Sequence, residues 1–274
     1  MIKLTMRMKE SFDFLTILSS YHNIDCDISG VMKLLDIKYS DQALQTIEKL
    51  GDDSKYGDEI YTFFKTYPPG MNHYINYYNH LRKHLTINEC LLNQREWIIV
   101  DLTLLTTTIT DFIFKENIEP IETVQGHGNI ILINTRTQEI ERFEPTGNAD
   151  ILINNIDVTI KDVLIKQAPQ LINYRYYTPL DYCPIYGPQY RSAYSQIYID
   201  ELNMFSGGWC GWWVLYYYIV RVLHPEISRN DILQLLNNRT PDELYLTIKE
   251  FRNQLINGTV PSFNNNLNIN VLSS

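Results

Sequence analysis

From Trp209 to Val220 the chain reads Trp-Cys-Gly-Trp-Trp-Val-Leu-Tyr-Tyr-Tyr-Ile-Val, without one charged side chain. Continued to Leu223, it predicts a helix that is apolar on every side, and such a helix must lie inside the protein. It is too short to span a bilayer, which takes about 20 residues, and Arg221 ends the run. A helix buried all round needs a sheet or other helices to cover it, so the fold must be built around this segment.

The sheet is legible upstream. Trp97-Ile98-Ile99-Val100-Asp101-Leu102-Thr103-Leu104-Leu105 is apolar and β-branched, the pattern of a buried strand. Asn129-Ile130-Ile131-Leu132-Ile133-Asn134 predicts a second strand, and Glu139-Ile140-Glu141-Arg142-Phe143-Glu144 alternates polar and apolar as a third. Thr135-Arg136-Thr137-Gln138 turns one into the other, which makes a hairpin ended by Pro145-Thr146-Gly147.

Helices flank this core. Asp157 to Gln167 is amphipathic, Ser228 caps a helix through Leu236, and Thr240-Pro241-Asp242-Glu243 opens another with Pro and acids in its first turn. Asp181 to Gln189, with Pro184, Gly187 and Pro188, reads as a strand end or loop. Residues 1–95 read as helical: one amphipathic helix around Phe12 to Leu18, one capped at Ser40, one from Asp58 to Tyr67, and one from Asn72 to Leu85. The expected class is α+β, a central mixed β-sheet with a buried nucleophile-bearing helix and an N-terminal helical region. The divisions fall at 1–95, 96–256 and an Asn-rich tail, 257–274.

A formal net charge of −9 argues against non-specific binding to nucleic acid or an anionic membrane. Cys26, Cys90, Cys183 and Cys210 are too scattered for a disulfide framework, and no CxxC pair marks a zinc site. His73, His80 and His84 fall at helical intervals but lack a third ligand, so they read as surface residues. The N-terminus lacks the apolar stretch of a signal peptide. Free thiols in a reducing, cytoplasmic setting are therefore expected, with no cofactor and no membrane partner.

His127, between Gly126 and Gly128, opens one hairpin strand, and Glu144 closes the other. A turn near Arg136 brings the two to the same end of the sheet, where the acid can fix the imidazole tautomer and leave the second ring nitrogen free. Cys210 stands at the start of the apolar helix, where the dipole and free N–H groups favour a thiolate. Each residue alone has an ordinary explanation: a solvated His beside a Glu, and a buried core cysteine. Together, and in that order, they are a base, an orienting acid and a nucleophile. Gln189 is a candidate oxyanion donor alongside the Cys210 N–H, with Gln196 and Asn203 nearer to the cysteine in sequence.

His127, Glu144, Gln189 and Cys210 in this order resemble the cysteine proteases that include the adenoviral protease (adenain), the SUMO-specific proteases and large-virus members. Phe143-Glu144-Pro145-Thr146-Gly147 is similar to the phrase around the adenoviral acid, and Gly208-Trp209-Cys210-Gly211 to the nucleophile motif. Giant-virus members are nearer still, on His127-Gly128-Asn129, Glu141-Arg142-Phe143-Glu144-Pro145 and Cys210-Gly211-Trp212-Trp213. The richness in Asn, Ile, Tyr and Lys fits the AT-rich coding of many large DNA viruses. Gly128 replaces the aromatic that often follows the family's His, and the Gln-to-Cys interval is longer than in the SUMO proteases. The resemblance covers roughly residues 95–235.

It implies a thiol peptidase with a His127/Glu144/Cys210 triad and Gln189 at the oxyanion. The implied partner is a protein substrate, either a viral polypeptide undergoing maturation or a ubiquitin-like conjugate, met in a host cytoplasm or a virion. Two other classes are compatible with the residues. One is a binding or virion-structural protein on a protease-like fold. The other is an acyltransferase, which would need a basic site for coenzyme A phosphates that the sequence around the motifs does not offer.

Overall fold

The computed structural model describes residues 26–40, 43, 45, 74–79, 87–114, 118–148, 156–201 and 209–257; in 26–39, 74–79 and most of 101–126 it describes the backbone alone. Six strands form one mixed sheet: β1 (Cys26–Tyr39), β2 (Tyr74–Asn79), β3 (Trp97–Phe114), β4 (Ile118–Asn134), β5 (Glu139–Phe143) and β6 (Arg175–Tyr177). Their order is β2-β1-β3-β4-β5-β6. β1 and β3 are parallel, as are β5 and β6, and the other neighbours are antiparallel.

Helices cover both faces. On one side lie α1 (Ile87–Leu92), α2 (Ile156–Gln167) and a 3-10 turn, Pro169–Asn173. Three short helices follow: α3 (Pro179–Tyr182), α4 (Pro188–Ser192) and α5 (Gln196–Glu201). The other face carries α6 (Trp209–Leu223), α7 (Arg229–Asn237) and α8 (Pro241–Ile256). Strand alternation sorts the side chains between these layers. Ile99, Ile130, Leu132 and Phe143 join the core under α6, whereas Ile98, Val100, Ile131, Ile133 and Ile140 join the core under α2. Burial on both faces is why these strands read as unbroken apolar runs.

The helix α6 is buried through its middle, from Trp213 to Arg221, while its first turn, Trp209–Trp212, and its last residues, Val222 and Leu223, are half-buried. Tyr217 stacks on Phe143 at 4.0 Å between ring centroids. Its polar anchor is Glu141 on β5, 2% exposed. That carboxylate accepts from Arg221 Nε at 2.8 Å, from Tyr217 Oη at 3.1 Å and from Arg229 Nε at 2.8 Å. At the helix's other end, Gly128 of β4 lies against Gly211: a Cβ added at Gly128 would be 3.5 Å from the Gly211 nitrogen. Two anchors therefore set the register. Gly211 to Arg221 rises roughly 15 Å along a helix, and Gly128 to Leu132, the partner of Glu141, spans roughly 14 Å of strand.

Several expectations need correction. Tyr74–Asn79, inside the segment expected as a helix from Asn72 to Leu85, is a strand paired with β1, and Cys26–Tyr39 is a strand no periodicity announced. The Tyr and Ile of Tyr74–Asn79 favour a pleated surface, and tertiary pairing overrides a helical spacing that short. The Ser40 cap is present, its Oγ accepting from the Ala43 N–H at 3.1 Å. The expected helices around Phe12 and from Asp58, the three histidines, Asn203 and the 258–274 tail lie outside the described residues. β3 and β4 run well past their expected ends, so His127 sits within a strand rather than at its mouth. Cys183 and Cys210 are free thiols, but Cys90 is disulfide-bonded, contrary to the expectation of free thiols throughout. Ser228 and Thr240 cap their helices through the Asp231 and Glu243 N–H groups, as read from sequence. Among the described residues no helix is long and apolar enough to cross a membrane.

Candidate active site

β5 pairs with only the last part of β4, from Ile130↔Phe143 to Asn134↔Glu139. One further step of that register would set Glu144 opposite Asn129, two positions from His127. Glu144 has instead left the strand, and its Oε1 lies 2.5 Å from His127 Nε2. The hairpin thus brings together the two residues that the sequence placed at one end of the sheet.

A turn holds the acid. Glu144 Oε1 also accepts from the Thr146 backbone N–H at 3.1 Å and from Thr146 Oγ1 at 2.7 Å. Its Oε2 is 3.7 Å from Arg142 Nη1, and the residue is 4% exposed. Burial by itself would push this carboxyl up. The hydrogen bond and charge of His127, the charge of Arg142 and the Thr146 hydroxyl outweigh it and hold Glu144 below the ordinary 4.5.

The turn is itself fastened to the loop before α4. Gly187 N donates to Thr146 O at 2.7 Å, Gln189 N to Pro145 O at 3.0 Å, and Asn148 N to Pro184 O at 2.9 Å. Gly147, at φ +99°, lies where a Cβ would fall within 2.6 Å of the Pro184 and Ile185 carbonyls. Only glycine takes that conformation and that contact.

With Nε2 occupied by Glu144, the imidazole also lies close enough to Cys210 for each to shift the other's titration. Cys210 is the second residue of α6, among the N–H groups that have no intrahelical acceptor. A Cβ added at Gly128 would be 3.7 Å from its sulfur, so β4 passes directly beside the thiol. Burial would push this thiol up. The hydrogen bond and charge of His127, with the backbone N–H groups of Gly128 and Gly211, reverse that and hold it below 9.0. Burial pulls His127 down, but its hydrogen bonds to Cys210 and Glu144 and their charges raise it to about 10. The two directions agree: a lowered thiol and a raised imidazole favour the thiolate–imidazolium form over the neutral pair. Such a pair can attack an electrophilic carbon and then deliver a proton to a leaving group. Cys183, by contrast, is buried and pushed up to about 12, away from the thiolate form.

Gln189 is brought to the site's margin through the acid's turn, not through the cysteine. Its backbone is tied to Pro145, and its Oε1 is buried without a partner among the described residues. Of the nearer alternatives, Gln196 opens α5 and its backbone N–H bonds Asp242 Oδ1 at 3.0 Å.

Three residues of the site escaped the sequence reading as functional candidates: Thr146, Arg142 and Asp157. Arg142 is 2% exposed and forks onto Asp157, Nε to Oδ1 at 2.7 Å and Nη2 to Oδ2 at 2.9 Å. The available signal was an arginine at a strand position whose neighbour two back, Ile140, faces the core. Among the described residues no cluster of three or more His, Cys, Asp or Glu is arranged to hold a metal ion.

No family model matches this chain. It is similar to a protein of Acanthamoeba polyphaga mimivirus named as an ankyrin repeat protein, 27% identical over 156 residues, which are 53% of this chain and 20% of that protein. The chain thus spans about a fifth of that relative's length. Ankyrin repeats stack helix pairs at a period of about 33 residues, whereas the described part of this chain is a sheet layered between helices.

Proposed function

We propose that this chain is a thiol peptidase of the adenain and SUMO-protease type, acting on a peptide or isopeptide bond of a protein substrate. One observation carries the reading: an imidazole bonded to a buried carboxylate stands next to the strand position that lies beside a thiol at the N-terminus of a buried helix. The Cys210 thiolate attacks the carbonyl carbon. The His127 imidazolium gives its proton to the departing amine, leaving a thioester. Water, deprotonated by the now neutral His127, hydrolyses the thioester and returns the thiol. Glu144 keeps the imidazole oriented and charged. The oxyanion faces the Cys210 N–H, with Gln189 as the side-chain donor. The buried, unpartnered Oε1 of Gln189 supports that role, since a half-turn of the amide exchanges its oxygen for the NH2 group. The likeness to a mimivirus protein favours maturation of viral polypeptides over removal of ubiquitin-like modifiers.

The test is to incubate the protein, and separately its Cys210→Ala variant, with denatured polypeptide mixtures and with ubiquitin-like conjugates, and to map new termini by mass spectrometry. New termini made by the wild type and not by the variant support the proposal. Equal cleavage by both, or none in any mixture, contradicts it.

A further inference from the structure

The acid of the triad belongs to a longer line of charge. Asp157 on α2, Arg142 on β5, Glu144 in the following turn, His127 on β4 and Cys210 on α6 alternate in sign, and each is paired with or faces the next. Each of the three nitrogens of Arg142 has an acceptor. Nε and Nη2 bind the two oxygens of Asp157, while Nη1 donates to Asn129 Oδ1 at 2.7 Å and lies 3.7 Å from Glu144 Oε2. Asp157 is fixed in turn by Tyr176, whose hydroxyl donates to Oδ1 at 2.9 Å. Tyr182 Oη holds the Arg142 carbonyl at 2.8 Å.

Stability alone does not account for this pair. A buried ion pair replaced by apolar side chains of similar size is often neutral or more stable. The strand position demands nothing polar, since Ile140 fills the same face with hydrocarbon. What the guanidinium does adjoin is the one carboxylate that holds His127.

We propose that Arg142, locked by Asp157, is a positioning residue for the active site: it fixes the orientation of Glu144 and keeps it ionised, and through Glu144 and His127 it sustains the Cys210 thiolate. The proposal rests on the thiol-peptidase reading. The groups that face Glu144 are His127 from β4, Arg142 from β5, Thr146 from its own turn and Cys183 from the segment after α3, with Asp157 and Tyr176 one shell further out. Of these, Arg142 is the cation whose charge is independent of the catalytic cycle, because a guanidinium does not titrate in the working range. His127 must give up its proton in each turnover and cannot anchor the acid alone.

The experiment is the pH dependence of Cys210 alkylation by iodoacetamide, read on the Cys210 peptide by mass spectrometry, in wild type, Arg142→Lys and the charge-balanced Arg142→Gln/Asp157→Asn. The wild type and the lysine variant should share an inflection on the acid side. The double variant should have its inflection moved to higher pH, with alkylation roughly tenfold slower on the acid side, the size expected when a neighbouring opposite charge is removed. Circular dichroism establishes that each variant is folded. Should the amide pair fail to fold, Arg142→Met/Asp157→Leu replaces both charges with hydrocarbon and carries the same expectation. A folded double variant that keeps the wild-type profile overturns the proposal and leaves the peptidase reading standing. A wild type whose Cys210 reacts as an ordinary thiol overturns both.

Discussion

Glu144→Gln is the substitution whose consequence follows most closely from the geometry. The side chain keeps its size in a site 4% exposed, so packing is nearly unchanged. The polar arithmetic is not. Oε1 accepts from His127 Nε2, Thr146 N and Thr146 Oγ1, while Oε2 faces Arg142 Nη1. A carboxylate accepts at both ends, and an amide accepts at one. If the glutamine oxygen stays with His127 and Thr146, its NH2 meets the Arg142 guanidinium donor to donor. If the amide turns over, the NH2 meets the Thr146 N–H and the imidazolium. Either way one charge-assisted hydrogen bond is lost, worth about 1.5–3 kcal/mol. A decade of equilibrium corresponds to about 1.4 kcal/mol, so the thiolate–imidazolium pair should weaken by roughly ten- to a hundredfold. The assay is the rate of Cys210 alkylation by iodoacetamide near pH 6, with kcat/KM on a cleaved peptide measured beside it. Both should fall, and the alkylation inflection should move to higher pH. A folded glutamine variant with wild-type alkylation at every pH would refute the assignment of Glu144 as the group that holds His127 charged.

Gln189→Ala should lower kcat by about a hundredfold or more, the scale for one oxyanion donor, while leaving the pH profile of Cys210 alkylation in place. A uniform loss of both would assign Gln189 to the scaffold instead. Gly147→Ala should destabilise the fold by about 3 kcal/mol, because φ there is +99° and a Cβ would run into the Pro184–Gly187 loop; denaturant titration reads this directly. Glu144 is held below 4.5, so its stabilising contribution is complete above that value and is lost as pH falls through its lower folded one. Acidification below 4.5 should therefore cost wild-type Tm more than it costs Glu144→Gln. Activity should also decline on the alkaline side as His127 loses its proton near 10.

The parts of this site that were legible in sequence are those fixed by local rules. A strand, a four-residue turn and a returning strand bring His127 and Glu144 to one part of the sheet, the turn at Thr146 completes their contact, and an apolar helix opening on Trp209-Cys210-Gly211 has one buried destination. The buried Glu141 and its arginines were not foreseen, because alternation says which residues face inward but not which charges meet there. Arg142 and Asp157 come from elements separated by a loop, and their pairing exists only once α2 lies on the sheet. Gln189 was in sequence order but not in spacing. The structure explains why: its tether is Pro145, so the interval to Cys210 carries no geometric meaning. The strand at Tyr74–Asn79 was misread because six residues rich in Tyr fit either period, and pairing with β1 decides between them.

The central claim is that Cys210 is a nucleophile activated by His127. The direct measurement is covalent capture by a peptide vinyl sulfone at neutral pH, read by intact mass and by the modified peptide. The account predicts a single adduct, located on Cys210, formed by the wild type, absent from Cys210→Ala and slowed by orders of magnitude in a folded His127→Ala variant. An adduct on another cysteine, or capture at Cys210 that proceeds at the same rate without His127, would contradict it.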